Sequence, residues 1–185
     1  MGLNKNVLYT EADIRARVKE MGAQITETYT DDKPVVCVCV LRGAVMFYTD
    51  LMKEIKSDNV VYDFVTLSSY ENALVAGSMT TTGKIKLIQD LRENVEGKHV
   101  LVVEDIVDSG FTVAYLRQYF ASKNPLDVRI ACLLDKPMCR KTDAKADYVA
   151  FTLERPAYII GYGLDSDQKY RNLPYIGVVE QEPEQ

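Results

Sequence analysis

The segment Val100-Leu101-Val102-Val103-Glu104-Asp105-Ile106-Val107-Asp108-Ser109-Gly110-Phe111-Thr112 constrains this chain more than any other. Its apolar, β-branched start reads as a buried strand, and that run ends in two adjacent carboxylates. A third carboxylate follows at Asp108, then Ser109-Gly110, and a helical pattern begins at Phe111. Acids at the carboxyl end of a parallel strand sit where open α/β sheets bind ligands. Small residues opening a helix leave backbone N–H groups free for a phosphate. Carboxylates suited to a polyol or a metal, beside an anion cradle, point to a phosphorylated sugar.

The rest of the chain alternates strands with helices. Glu11 to Ile25 carries Ile14, Val18, Met21 and Ile25 at helical spacing. Pro34 opens the apolar strand Val35 to Leu41, Gly43 breaks it, and Ala44 to Ile55 reads as a helix with Phe47, Leu51 and Ile55 on one face. Val60 to Leu67 is a further strand candidate. Ser68 to Gly83, small, polar and rich in Thr, Ser and Gly, reads as a long flexible loop, and Lys84 to Ile88 alternates like an exposed strand. After the opening segment come a helix to about Ser122, a break at Asn124-Pro125, and strands at Val128 to Leu134, Tyr148 to Leu153 and Tyr158 to Gly161. This order predicts an α/β fold with a mainly parallel sheet and helices on both faces. The tail Glu180 to Gln185 is acidic, contains Pro183 and is expected to fray.

With 185 residues of which 47% are hydrophobic, residues 1–185 are expected to form one domain with a sizeable core. A net charge of −5 gives no global basic footprint for nucleic acid, so an anionic substrate would need a locally basic pocket. The apolar runs are strand-sized and Met1 to Thr10 lacks a signal-peptide pattern, so no membrane association is expected and cytoplasmic residence is the default. Cys37 and Cys39 share one face of a strand, Cys132 lies in another apolar run, and Cys139 follows Pro137. Without a paired Cys-x-x-Cys, and with His99 the one histidine, the four read as reduced apolar residues rather than a zinc site. His99 itself has no acid at triad-like spacing and reads as a surface residue.

Two familiar phosphate motifs fail on inspection. Gly77-Ser78-Met79-Thr80-Thr81-Thr82-Gly83-Lys84-Ile85 has one residue too many between its glycines for a P-loop, and Ile85 cannot offer a metal-binding hydroxyl. Gly161-Tyr162-Gly163 lacks the third glycine of a dinucleotide fingerprint.

The opening segment closely resembles the phosphoribosyl-pyrophosphate signature of the type I phosphoribosyltransferases. Further pieces, in family order, resemble the bacterial-type hypoxanthine (hypoxanthine-guanine) phosphoribosyltransferases. They are Leu41-Arg42-Gly43-Ala44, Ser69-Tyr70, Leu134-Asp135-Lys136-Pro137, and Tyr158-Ile159-Ile160-Gly161-Tyr162-Gly163-Leu164-Asp165 with Tyr170-Arg171 beyond. The resemblance runs from about Val7 to Val179. It implies the fold of that superfamily, in which a small hood formed by N- and C-terminal segments covers a helix-flanked parallel sheet. It also implies purine salvage: magnesium-dependent transfer of the 5-phosphoribosyl group from phosphoribosyl pyrophosphate to hypoxanthine or guanine, giving IMP or GMP and pyrophosphate. A homodimer or homotetramer is implied as well, with residues near Arg42 and the following helix at the interface.

Position by position, the resemblance implies that Glu104 and Asp105 hold the ribose hydroxyls and a Mg2+ ion, where adjacent acids could otherwise merely cap a strand. Asp108 would be general base or acid at the purine imidazole nitrogen; helix N-capping, shared with Ser109, is the competing role, and the catalytic one is favoured. The amides and hydroxyls of Asp108, Ser109, Gly110, Phe111 and Thr112 would cradle the 5′-phosphate. Arg42, Gly43, Ser69, Tyr70 and Arg171 would hold pyrophosphate. Many members have lysine where this chain has Arg42, and the Leu41–Arg42 peptide can be cis in the family. Lys136 would donate to the purine 6-oxo group, Tyr158 would stack on the purine, and Ile159 would meet its edge through the backbone. Asp165 would lie near the purine and bind a second Mg2+. From residue type alone, Lys136 is a solvated charge, Tyr158 a core aromatic, and Asp165 with Arg171 a surface ion pair. The loop carrying Ser69-Tyr70 is expected to close during turnover.

Two other functions fit the same residues less well. One is a regulator that keeps the fold and binds nucleic acid, disfavoured by the acidic charge. The other is a phosphoribosyltransferase for a different base such as xanthine.

Overall fold

The computed structural model describes residues 5–69 and 85–179. Its elements in chain order are β1 (Lys5–Tyr9), α1 (Glu11–Thr28), β2 (Val35–Leu41), α2 (Val45–Glu54), β3 (Val60–Ser69), β4 (Ile85–Gln89), β5 (His99–Val107), α3 (Phe111–Ala121), β6 (Asp127–Asp135), β7 (Tyr148–Thr152), β8 (Tyr158–Ile160) and β9 (Ile176–Val179).

The main sheet runs β4-β3-β2-β5-β6-β7 and is parallel except for the edge strand β4, which pairs antiparallel with β3. Because strand side chains alternate, each central strand feeds two cores. Cys37 and Cys39 of β2 and Leu101 and Val103 of β5 face α1 and α2, where Ile14, Val18, Met21, Ile25, Phe47 and Leu51 close the layer. Val36, Val38, Val40, Val100 and Val102 face the other way, onto Val113, Leu116 and Phe120 of α3. This double burial is why β2 and β5 are continuous apolar runs rather than alternating ones. At its start α1 is held by a capping box in which Thr10 and Asp13 satisfy each other's backbone N–H.

A second sheet, β1-β9-β8, is antiparallel and joins N- and C-terminal segments, as the implied hood requires. The sequence pattern names β8 but not β1 or β9. Strand β3 continues through Ser68 and Ser69, paired with Lys86 and Ile85, so these two residues belong to the sheet and not to the expected loop. Residues 70–83 of that loop, Tyr70 among them, and residues 180–185 lie outside the described residues. Among the described residues no helix is long and apolar enough to cross a membrane. All four cysteines are free thiols, and three of them are buried.

His99 is not the surface residue expected. Its side chain is only 16% exposed; Nδ1 lies 2.7 Å from Asp127 and Nε2 3.1 Å from Asp31. Burial lowers its pKa, but the hydrogen bonds to Asp127 and Asp31 outweigh that and leave it above its ordinary value.

Candidate active site

Strand order reverses between β2 and β5: chain order proceeds to β3 on one side, then to β5, β6 and β7 on the other. Ligands bind open α/β sheets at such a switch point, outside the carboxyl ends of the strands. Here those ends are Leu41-Arg42-Gly43 and Glu104-Asp105, and the Leu41–Arg42 peptide is cis. A cleft of about 510 Å³ opens above them. Arg42, Gly43, Glu104, Asp105, Thr112, Asp165 and Arg171 line it together with Ser68 and Gln168.

The two acids lie close under the cleft. Glu104 is 6% exposed, and its Oε2 is buried without a hydrogen-bond partner among the described residues. Burial, and then the neighbouring Asp105, push its carboxyl well above the usual range. Asp105 Oδ1 accepts from the Ile106 N–H at 2.7 Å. Burial pushes Asp105 up to about 6 against the opposing pull of the Ile106 N–H and of Arg171. The turn at Gly43 must be glycine here, since a β-carbon would overlap the Asp105 carboxylate. Among the described residues no three acids, histidines or cysteines are grouped to hold a metal on their own.

Asp165 and Arg171 form a partly buried ion pair at 2.7 Å, not the surface pair residue type suggests. Arg171 also donates to the Gly163 carbonyl at 2.7 Å and to Gln168 at 3.1 Å, and Asp165 accepts from the Gln168 N–H at 2.8 Å. The Tyr162 hydroxyl donates to Asp50 of α2 at 2.8 Å, fastening this turn to the main body.

Beyond β5 the chain makes the turn Asp108-Ser109-Gly110 into α3. Gly110 is the N-cap, in a left-handed conformation at φ 86, and no side chain caps the helix. Asp108 and Ser109 therefore do not cap α3. Asp108 is exposed, and its carboxylate lies near the Cys139 thiol, whose pKa is raised by burial and then by Asp108. The segment after β6 runs alongside: Lys136 N–H donates to Val107 at 2.9 Å and Lys141 N–H to Ser109 at 2.8 Å.

Lys136 is half-buried and donates from Nζ to the Ala157 carbonyl at 3.2 Å, so it is not a freely solvated charge. Tyr158, 47% exposed, is not a core aromatic, whereas the adjoining Ile159 is buried. Lys136, Tyr158 and Ile159 do not line the cleft itself but stand at the ends of β6 and β8. Ser69 ends β3, beside the cleft-lining Ser68. Sequence alone assigns no site role to Gln168, Ala157 and Arg140, and reads Cys139 only as a reduced thiol. Each contacts the site through folding, and no motif marks them.

Residues 7–167 match the family described as phosphoribosyl transferase domain. The chain is 44% identical over 176 residues to a hypoxanthine-guanine phosphoribosyltransferase of Bacillus subtilis, covering 95% of this chain and 93% of that protein. It is 42% identical over 178 residues to a hypoxanthine-guanine-xanthine phosphoribosyltransferase of Tritrichomonas foetus, covering 96% and 92%. A crystal structure of a hypoxanthine phosphoribosyltransferase from Staphylococcus aureus superposes with a TM-score of 0.87 at 40% identity, covering 96% of this chain and 92% of that one.

Proposed function

The chain belongs to the phosphoribosyl transferase family, in its hypoxanthine-guanine branch, and from that premise we propose how its site works. The enzyme transfers the 5-phosphoribosyl group of phosphoribosyl pyrophosphate to hypoxanthine or guanine, giving IMP or GMP and pyrophosphate. The observation that carries this reading is the meeting, at one switch point, of a buried acid pair, a turn shaped for phosphate, and Arg42 and Arg171.

Glu104 and Asp105 take the ribose hydroxyls. The backbone N–H groups of Asp108, Ser109, Gly110, Phe111 and Thr112, with the Ser109 and Thr112 hydroxyls, hold the 5′-phosphate at the start of α3. Arg42 and Gly43, with Ser69 and Tyr70 from the end of β3 onward, bind pyrophosphate together with Arg171, which exchanges part of its bond to Asp165 for phosphate oxygens. Lys136 donates to the purine 6-oxo group, Tyr158 stacks on the ring, and Ile159 and Asp165 border it.

Magnesium fits the acid pair, because Glu104 Oε2 is buried without a partner and both carboxyls are pushed up by burial. Mg2+ is commonly held by one or two carboxylates plus substrate oxygens, which suits a site whose described residues form no protein cage of their own. Glu104 and Asp105 would hold one ion and Asp165 a second, and when bound the metal would neutralise charge on the departing pyrophosphate.

In the transfer, the bond from ribose carbon 1 to the pyrophosphate oxygen breaks as carbon 1 joins a purine imidazole nitrogen. The proton on that nitrogen passes to Asp108. An oxocarbenium-like transition state gains from placed charge and from alignment of the two substrates, with no protein nucleophile.

Cytoplasmic residence is proposed, and its four free thiols support that reading. A homodimer or homotetramer is proposed, and light scattering after size exclusion tests it; a strict monomer would contradict it.

Incubation with phosphoribosyl pyrophosphate, Mg2+ and each of hypoxanthine, guanine, xanthine and adenine tests the substrate class. Nucleotide from hypoxanthine or guanine and none from adenine is expected. Nucleotide from none of the four would remove the reading, and salt-dependent RNA or DNA binding in its place would favour a regulator. Xanthine is the second candidate base because the Tritrichomonas foetus relative carries it in its name.

A further inference from the structure

The turn that opens α3 owes its shape to a neighbouring segment. Gly110 stands in the left-handed region at the helix N-cap, and no side chain of the turn caps the helix. The residues after β6 brace it instead. Lys136 and Lys141 donate backbone hydrogen bonds to Val107 and Ser109, and between these two fixed points lies Arg140. Its side chain is 16% exposed and pairs through Nη2 with Asp135. A β-carbon at Gly110 would overlap Thr142 and come within 2.9 Å of Arg140 Cδ and 3.4 Å of Nη1, so the turn rests directly on these two side chains. Arg140 Nη1 is buried and has no hydrogen-bond partner among the described residues.

A guanidinium with an unsatisfied buried N–H is a poor device for stability, because that group has been taken out of water with nothing in exchange. Its value lies in the charge. A positive group pressed against the turn proposed to take the 5′-phosphate would strengthen the field at that anion and hold the turn in register. We infer that Arg140 is a positioning residue for the 5′-phosphate: anchored by Asp135, it supports the Gly110 turn and acts on the ligand through it. This rests on the phosphoribosyl-transfer reading above.

Calorimetric titration with IMP and with inosine, which differ only in the 5′-phosphate, isolates the effect. Arg140→Met should weaken IMP binding by about tenfold or more, the worth of one charge-assisted contact, and leave inosine binding nearly unchanged. Arg140→Lys should recover part of the loss. The double variant Arg140→Met with Asp135→Asn, which leaves no lone buried carboxylate, should melt no lower than the parent and still show the IMP defect. Equal losses for IMP and inosine, or no loss for IMP, would overturn the inference. A parent protein that binds IMP no better than inosine would instead overturn the phosphoribosyl-transfer reading itself.

Discussion

Lys136 Nζ donates a hydrogen bond of 3.2 Å to the carbonyl oxygen of Ala157. The bond joins the end of β6, in the main sheet, to the residue before Tyr158, in the hood sheet. It therefore holds the proposed 6-oxo donor and the proposed stacking ring in one frame, and a purine need only add a further acceptor to an amine already in place.

Lys136→Ala should weaken 6-oxopurine binding by about 10- to 100-fold, the cost of a lost hydrogen bond to a charged group, and leave phosphoribosyl pyrophosphate binding almost untouched. Separate dissociation constants for the two substrates check this. Equal losses would mean that Lys136 supports the fold rather than selecting the base.

Asp108→Asn should lower turnover by about 10²- to 10⁴-fold, the usual worth of a general base. The melting temperature should hold, because α3 starts at Gly110 without a side-chain cap and does not depend on Asp108. Near-normal turnover would take Asp108 out of the chemistry.

Gly43→Ala forces a β-carbon into the Asp105 carboxylate, while Gly163 abuts the Gly43 carbonyl and blocks retreat. Overpacking of this kind costs about 1–3 kcal/mol, so denaturant midpoints should fall and kcat/KM with them. A variant of unchanged stability and activity would show that the two turns are not interlocked.

Much of this arrangement can be read from residue order because the central strands are buried on both faces. β2 and β5 had to be continuous apolar runs, and the acids near the end of β5 had to stand at the carboxyl end of the sheet. The hood was harder: β1 and β9 are short, and each is completed by a partner at the other end of the chain. The capping role open to Asp108 disappears only when Gly110 is seen to begin the helix. Contacts made by distant segments leave no local trace. Arg140 against Gly110, Cys139 against Asp108, and His99 between Asp31 and Asp127 all depend on strands brought together by the sheet.

The last of these has a measurable consequence. Asp127 and Asp31 favour protonated His99, with the Tyr29 ring 5.0 Å away and Arg129 drawing on the same Asp127. A histidine whose pKa is raised on folding contributes its stabilisation fully below the unfolded value of 6.5 and loses it as pH climbs through the higher folded value. Urea midpoints should therefore fall as pH rises above 6.5, and His99→Gln should flatten that decline. A decline of the same slope in the variant would assign it to other groups.

The most direct test of the whole reading is a stoichiometric one. Phosphoribosyl pyrophosphate and hypoxanthine are mixed with the enzyme and Mg2+, and IMP and pyrophosphate are quantified together. Equimolar amounts of the two products, formed only with the base present and abolished by chelating the metal, are expected. Pyrophosphate without nucleotide, or neither product, would contradict it.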